Sequence, residues 1–295
     1  MPTSQTARKP GPKRRSKYKA GKRVKRTSRA SGFYIAVAVV IVIGVAAVFA
    51  LAGGSKSTKS EAPASATLVN KVTSVPADVF NTVGRGSATA APRPINGTAL
   101  SENGKPQVLY MGAEYCPYCA TERWPIVVAL SRFGKFTGLK TTHSSSTDVY
   151  ADTNTFSFHG ATYTSPWIAF TGVETESNQQ QGDGYKPLET PTPAQQQIFG
   201  TYDRPPYVSS QSSGGIPFID FGGKYIIDGV TYDPGVLQGQ SLTGIANALA
   251  NPQSKISQGA IGVANTFTAA ICKLTNNQPA NVCNGSIQQI EGTLG

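Results

Sequence analysis

The chain has 295 residues, 39% of them hydrophobic and 15% charged, which excludes a fully disordered chain and a coiled coil. A formal charge of +11 would suit a nucleic-acid binder, but residues 1–32 hold 12 of the 27 Lys and Arg and no acidic residue. The rest of the chain carries 15 basic against 16 acidic side chains, a net of −1, so the body is neutral and no nucleic-acid partner is expected.

The basic tail, 1–32, is followed by Phe33–Ala52, 20 residues without a charged or amide side chain. As a helix this run spans ~30 Å, the hydrocarbon thickness of a bilayer, and one transmembrane helix is expected over 33–52. The charge asymmetry places the N-terminus in the cytoplasm and the C-terminal domain outside it, anchored at the cell membrane. A cleaved signal peptide is the alternative, since Ala50-Leu51-Ala52 has the form of a cleavage site, although the basic lead and the apolar run are long for one. Both readings export the body. The tail either fixes topology and touches anionic head groups or docks an acidic cytoplasmic partner.

Residues 53–67, rich in Gly, Ser and Ala, read as a flexible linker, and 68–295 as the exported domain. Leu68–Val83 reads as a helical element, and Gly84–Lys105 as a loop. Gln107–Met111 is a buried strand by its length and flanks. A helix is predicted from Pro117 to Phe133, stopped by Gly134. Leu139–Thr142, Thr155–Phe158 and Trp167–Glu174 read as strands, and Ser177–Thr192 as an exposed loop. Ile216–Phe221 and Lys224–Ile227 flank Gly222-Gly223, a two-residue hairpin signal. Ser241–Ala250 and Ile256–Leu274 read as helices. The order of elements argues for an α/β domain.

Four cysteines fall in the exported part: Cys116, Cys119, Cys272 and Cys283. An even count in an oxidising compartment suggests disulfides. Cys116-Pro117-Tyr118-Cys119 lies where a strand passes through a short loop into a helix. Cys116 then sits at the helix N-terminus, where free N–H groups and the helix dipole favour a thiolate. Pro117 suits the first helical turn, where its missing N–H is not needed. Cys119, one turn in, is expected to be more buried, giving an exposed attacker and a shielded resolving thiol. An inert structural disulfide and a four-cysteine metal site are the competing readings. The wide Cys272–Cys283 spacing and export speak against metal, and Ala120 in place of His excludes haem attachment. No cofactor is expected. Cys272 and Cys283 close a polar loop, either as a structural disulfide worth ~3 kcal/mol or as a second redox pair.

With these residues in place the chain resembles the thioredoxin superfamily. The matching features are Val108–Tyr115, the Cys-Pro-Tyr-Cys motif, the helix after it, and Gly214-Gly215-Ile216-Pro217-Phe218-Ile219 downstream. The tetrapeptide is similar to that of glutaredoxins. More closely, the phrases GAEYCPYCATERW, ALSRFG, TFSFHGATY, IPFID and TAAICKLTNNQPANVC resemble a thioredoxin-like family of undetermined function in bacteria and archaea, often membrane-anchored; the likeness covers roughly residues 68–284. It implies a thioredoxin-like fold in which Cys116 is the nucleophile, Cys119 the resolving thiol and Ile216-Pro217 a cis peptide bond beside them. Pro117, Tyr118, Ile216 and Pro217 would meet the substrate, with the Ile216 backbone pairing with a client. Without the motif, Pro217 would read as an ordinary trans proline opening an edge strand.

The chain departs from a minimal thioredoxin in the 98 positions between Cys119 and Pro217. The excess, about 141–213, reads as an insertion that is either a lid or client surface, or a structural excursion. Glu122 and Arg123, one turn past Cys119, could help its proton leave, but a solvated helix face is the expectation. Trp124 reads as packing, and His143 and His159 as loop and strand residues. The function expected is a membrane-anchored extracytoplasmic thiol–disulfide oxidoreductase acting on protein cysteines, with an unidentified redox partner. The compartment and Pro117 point to an oxidase or isomerase rather than a reductase. The alternative is a non-enzymatic surface binding module with two structural disulfides.

Overall fold

The structure, a computed structural model, describes residues 61–295. The basic tail, the apolar run 33–52 and most of the linker lie outside the described residues. Among the described residues no helix is long and apolar enough to cross a membrane.

The chain enters through a short strand, β1 (Ala62–Pro63), and two helices, α1 (Ala66–Thr73) and α2 (Ala77–Val83). The end of the expected linker is therefore part of the domain: Ala62 pairs with Thr141, and Glu61 meets Lys140 at 2.9 Å. The helical stretch expected over Leu68–Val83 is split. Pro76 caps the second helix in an extended conformation, because its ring cannot continue the first.

β2 (Arg93–Pro94) and β3 (Ser101–Glu102) precede the long strand β4 (Lys105–Gly112). After β4 the chain forms α3 (Pro117–Ser131) and then β5 (Lys135–Thr137), β6 (Lys140–His143), β7 (Asn154–Ser157), β8 (Thr162–Thr164) and β9 (Ala169–Glu174). β9 pairs in parallel with β4 from Gln107↔Ala169 to Gly112↔Glu174. The stretch 141–213 is thus only partly an insertion, since it supplies a strand of the main sheet, next to β4. Next come β10 (Glu176–Gln181), β11 (Gly184–Pro187) and α4 (Pro193–Tyr202). β10 and β11 form a hairpin where an exposed loop was expected. β10 ends in three Gln, and most of both strands is exposed or half-buried, so no apolar alternation marked them. α4 begins with a reciprocal cap between Thr192 and Gln195, and Pro193 opens its first turn.

β12 (Phe218–Phe221) and β13 (Tyr225–Asp228) form the expected hairpin across Gly222-Gly223, both in left-handed backbone at φ +65° and +68°. The central sheet runs β2-β13-β12-β4-β9, with β3 folded onto the start of β4. α5 (Leu242–Leu249), α6 (Lys255–Leu274) and α7 (Ser286–Glu291) complete the chain. α7 has no counterpart among the expected elements.

Strand alternation decides which helix covers which face. Val108, Tyr110, Ile219 and Phe221 point into the main core with α3 and α6. Leu109, Met111 and Phe218 point to the opposite face, where Ile198 and Phe199 of α4 cover them. The Cys272–Cys283 disulfide is formed and fastens the end of α6 to the segment before α7.

α3 is buried along nearly its whole length, between the sheet, α6, β7 and α1. Pro125 inside it removes a donor from the Thr121 carbonyl; the Tyr232 hydroxyl donates to that oxygen at 3.0 Å. This burial corrects the reading of Glu122 and Arg123 as a solvated face: both side chains are fully enclosed.

Candidate functional site

β4 ends at Gly112 and the chain turns through Ala113-Glu114-Tyr115 into α3. Cys116 is the N-cap of α3: its Sγ accepts from the Cys119 backbone N–H at 3.2 Å, and Pro117 follows at the first helical position. The Ile216-Pro217 bond is cis, as the resemblance implied. The Ile216 carbonyl oxygen lies 3.7 Å from Cys116 Sγ, with the thiol donating. Cys116, Cys119, Pro117, Ile216 and Pro217 therefore meet at one end of the sheet. Cys116 and Cys119 are free thiols. Cys272 and Cys283 lie outside this group, in their own disulfide.

Cys116 is less open than expected. It is 5% exposed and Cys119 is fully buried, so the asymmetry is one of degree. Tyr118, 37% exposed, carries the open edge of the motif. A side chain at position 112 has no room: its Cβ would collide with the Tyr110 hydroxyl and lie 3.0 Å from Cys119 Sγ.

The electrostatics of the two thiols diverge. Cys116 is held below its ordinary value, first by the hydrogen bond from the Cys119 side chain, then by the Cys119 backbone N–H and the Arg123 cation, against the effect of burial. Cys119 is pushed well above its ordinary value by burial and by its bond to Cys116. Arg123 is fixed by a two-pronged pair with Glu174 at the end of β9, Nε to Oε1 at 2.8 Å and Nη2 to Oε2 at 2.6 Å. Arg123 Nη2 also donates to the Ala113 carbonyl at 2.7 Å, tying α3 to the loop that carries Cys116.

Arg123 and Glu174 are the functional residues that sequence reading misplaced or missed. A signal was available: Pro117–Ser131 has no continuous polar stripe, so its two charges belong in the interior with partners. Glu122 accepts from the Thr231 N–H at 2.6 Å and from its hydroxyl at 2.8 Å. His143 and His159 are apart, the first bonded to Ser144 and the second 2.9 Å from Glu61. Among the described residues no three His, Cys, Asp or Glu are grouped to hold a metal.

Buried carboxyls give the domain a pH signature. Burial pushes Glu122 up to about 8; burial, with the neighbouring Glu61, does the same to Glu114. Burial raises Asp203 and Asp220 to about 6. Glu61 moves the other way, held down despite burial by Glu114, Lys140 and His159. In an unfolded chain such carboxyls titrate near ~4. Between the two values the folded state binds more protons than the unfolded one, so stability falls as pH rises. Urea unfolding of the full chain in detergent is expected to show highest stability near pH 4.5 and a continuous decline toward pH 8. Glu122→Gln should flatten the upper part of that decline. A stability that climbs across this interval would contradict these assignments.

A family model described as "Domain of unknown function (DUF929)" matches residues 92–273, more than half of the chain and inclusive of both thiols and Ile216-Pro217. No curated protein and no solved structure matches.

Proposed function

The chain belongs to this family, and from the thiol site we propose that it is a thiol–disulfide oxidoreductase of thioredoxin-like fold. We further propose that it is anchored in the cell membrane by residues 33–52 and acts outside the cytoplasm on protein cysteines. The observation that carries the reading is Cys116: a helix N-cap thiol with lowered pKa, 3.7 Å from the carbonyl that precedes a cis proline. The strand order β13-β12-β4-β9, with one helix after β4 and another after β13, supports the thioredoxin-like assignment.

The chemistry is a two-electron exchange. The Cys116 thiolate attacks one sulfur of a client disulfide, forming an intermolecular S–S bond and releasing the other client sulfur as a thiolate that takes up a proton. Cys119 then loses its proton and attacks Cys116 Sγ. The internal disulfide forms and the client leaves with both cysteines reduced. The reverse sequence oxidises a client dithiol, and two sequential exchanges isomerise a client. A thiol or disulfide partner resets the pair. The exported compartment and Pro117 favour the oxidase and isomerase directions.

The Ile216 backbone has a part as well. Its carbonyl accepts the Cys116 thiol proton, and among the described residues its N–H donates to no acceptor. When Cys116 becomes a mixed disulfide its proton is gone, and both Ile216 groups can pair with the client backbone. The site tests directly: the alkylation rate of Cys116 against pH in the full chain is expected to report a pKa well below the free-thiol value of ~8.5. A value at or above it would overturn the nucleophile assignment.

A further inference from the structure

Beside the thiols lies a cavity of about 350 Å³, at the small end of the range for ligand pockets (~300–1,000 Å³). Two of its walls belong to the site itself, Tyr115 next to Cys116 and Ile216 next to Pro217. Met111 on β4 contributes from the sheet. Pro191, Gln196 and Phe199 come from the loop before α4 and from α4 itself. No lining residue carries a charge. Phe199 is held there by an edge contact with Phe218, ring centres 5.5 Å apart, and Gln196 by its bond to the Pro191 carbonyl at 3.1 Å.

The other rim of the thiol site is apolar as well. Tyr118 and Val149 are the exposed large hydrophobic residues among those described, at 37% and 50%. Tyr150, beside Val149, meets the Tyr118 ring edge-on at 6.3 Å. The loop that carries Val149 is tied to the site by the Ser145 N–H bond to the Tyr115 carbonyl at 2.7 Å. A polypeptide whose cysteine reaches Cys116 while its backbone lies along Ile216 must pass between these two apolar borders. Exposed apolar side chains grouped at one place mark a contact surface rather than chance exposure.

We propose that the cavity is a side-chain pocket for the client. It takes an apolar residue adjacent to the client cysteine in an extended segment of an exported protein, and Tyr118 and Val149 cover the residue on the other side. The exposed part of the 176–213 excursion is thereby a specificity element that selects extended, uncharged sequence around the reacting cysteine. A small charged disulfide leaves the pocket empty and reacts more slowly. The proposal rests on the thiol-exchange reading of the same site.

The test uses the full chain in detergent, reduced, and a set of octapeptides with one cysteine capped as a disulfide with an aromatic thiol. The residues flanking the cysteine are Ala, Leu, Phe, Asp or Lys. A small neutral disulfide serves as reference. Leu and Phe peptides are expected to react about tenfold or more faster than Ala peptides in kcat/KM, and Asp and Lys peptides more slowly than Ala. Gln196→Trp, which fills the cavity from the helix surface, is expected to bring the Leu, Phe and Ala rates within about twofold of one another. Equal rates for all peptides, or an undiminished preference in Gln196→Trp, would overturn the pocket and leave thiol exchange standing. No reaction with the peptides and none with the reference disulfide would overturn the exchange chemistry and the pocket with it.

Discussion

Cys119→Ser is expected to leave the chain covalently joined to its substrate. Incubated with a disulfide-bonded model peptide, this variant should accumulate a mixed disulfide through Cys116 that survives non-reducing electrophoresis and disappears with excess dithiol. The wild type should show little of the adduct, because Cys119, next to Cys116 and fully buried, resolves it. Cys116→Ser should form no adduct and lose at least ~10³-fold in exchange rate, since Cys119, the other free thiol among the described residues, is fully buried. The asymmetry between the two variants is the informative part. It follows from Cys116 lying at the N-cap with a lowered pKa and Cys119 lying behind it with a raised one. Adducts through Cys119 in the Cys116→Ser variant, or none in either, would contradict the assigned roles.

The second large effect is on folding. Arg123→Met removes one half of an ion pair whose side chains are both fully buried. Glu174 would keep only the Phe158 N–H at 3.3 Å near its carboxylate, and the Ala113 carbonyl would keep only the Cys116 N–H at 3.3 Å. Breaking a buried pair from one side costs about 3–5 kcal/mol, because an uncompensated charge is left behind. Urea unfolding of the variant should show a loss of that size. Arg123→Met combined with Glu174→Leu should recover most of it, since an apolar pair of similar volume carries no desolvation penalty. A single variant within ~1 kcal/mol of the wild type would mean that the pair does not anchor the site. The same variant should raise the Cys116 pKa, since the Arg123 cation is one of the groups that lowers it.

Much of the domain was legible because its elements carry local signals. β4 is a short apolar run between turn residues, α3 opens on Pro117, and the Gly222-Gly223 hairpin is marked by its glycines. Cys116 and Cys119 were legible as a pair because their spacing and their place between strand and helix constrain each other. The errors have a shared physical cause. Glu122 and Arg123 look like surface residues one at a time, and their burial depends on Thr231 and Glu174, which lie far off in sequence. α4 has a weak apolar pattern because Ile198, Phe199 and Tyr202 alone among its residues pack against the clusters on that face of the sheet, so it reads as part of the insertion. The parallel pairing of β9 with β4 is a long-range contact that no local pattern announces. The Cys272–Cys283 disulfide was foreseeable from an even cysteine count in a chain whose sequence reads as exported, and the structure contains it.

The central claim is that Cys116 and Cys119 form a redox-active pair, and its most direct test is the equilibrium of that pair against a series of dithiol–disulfide buffers. Thiols of the full chain are trapped at each ratio and counted at Cys116 and Cys119. The expected result is a two-electron transition within the range of known oxidoreductases, ~ −120 to −270 mV. A pair that stays oxidised below ~ −300 mV, as structural disulfides do, or that never forms a disulfide, would contradict the account.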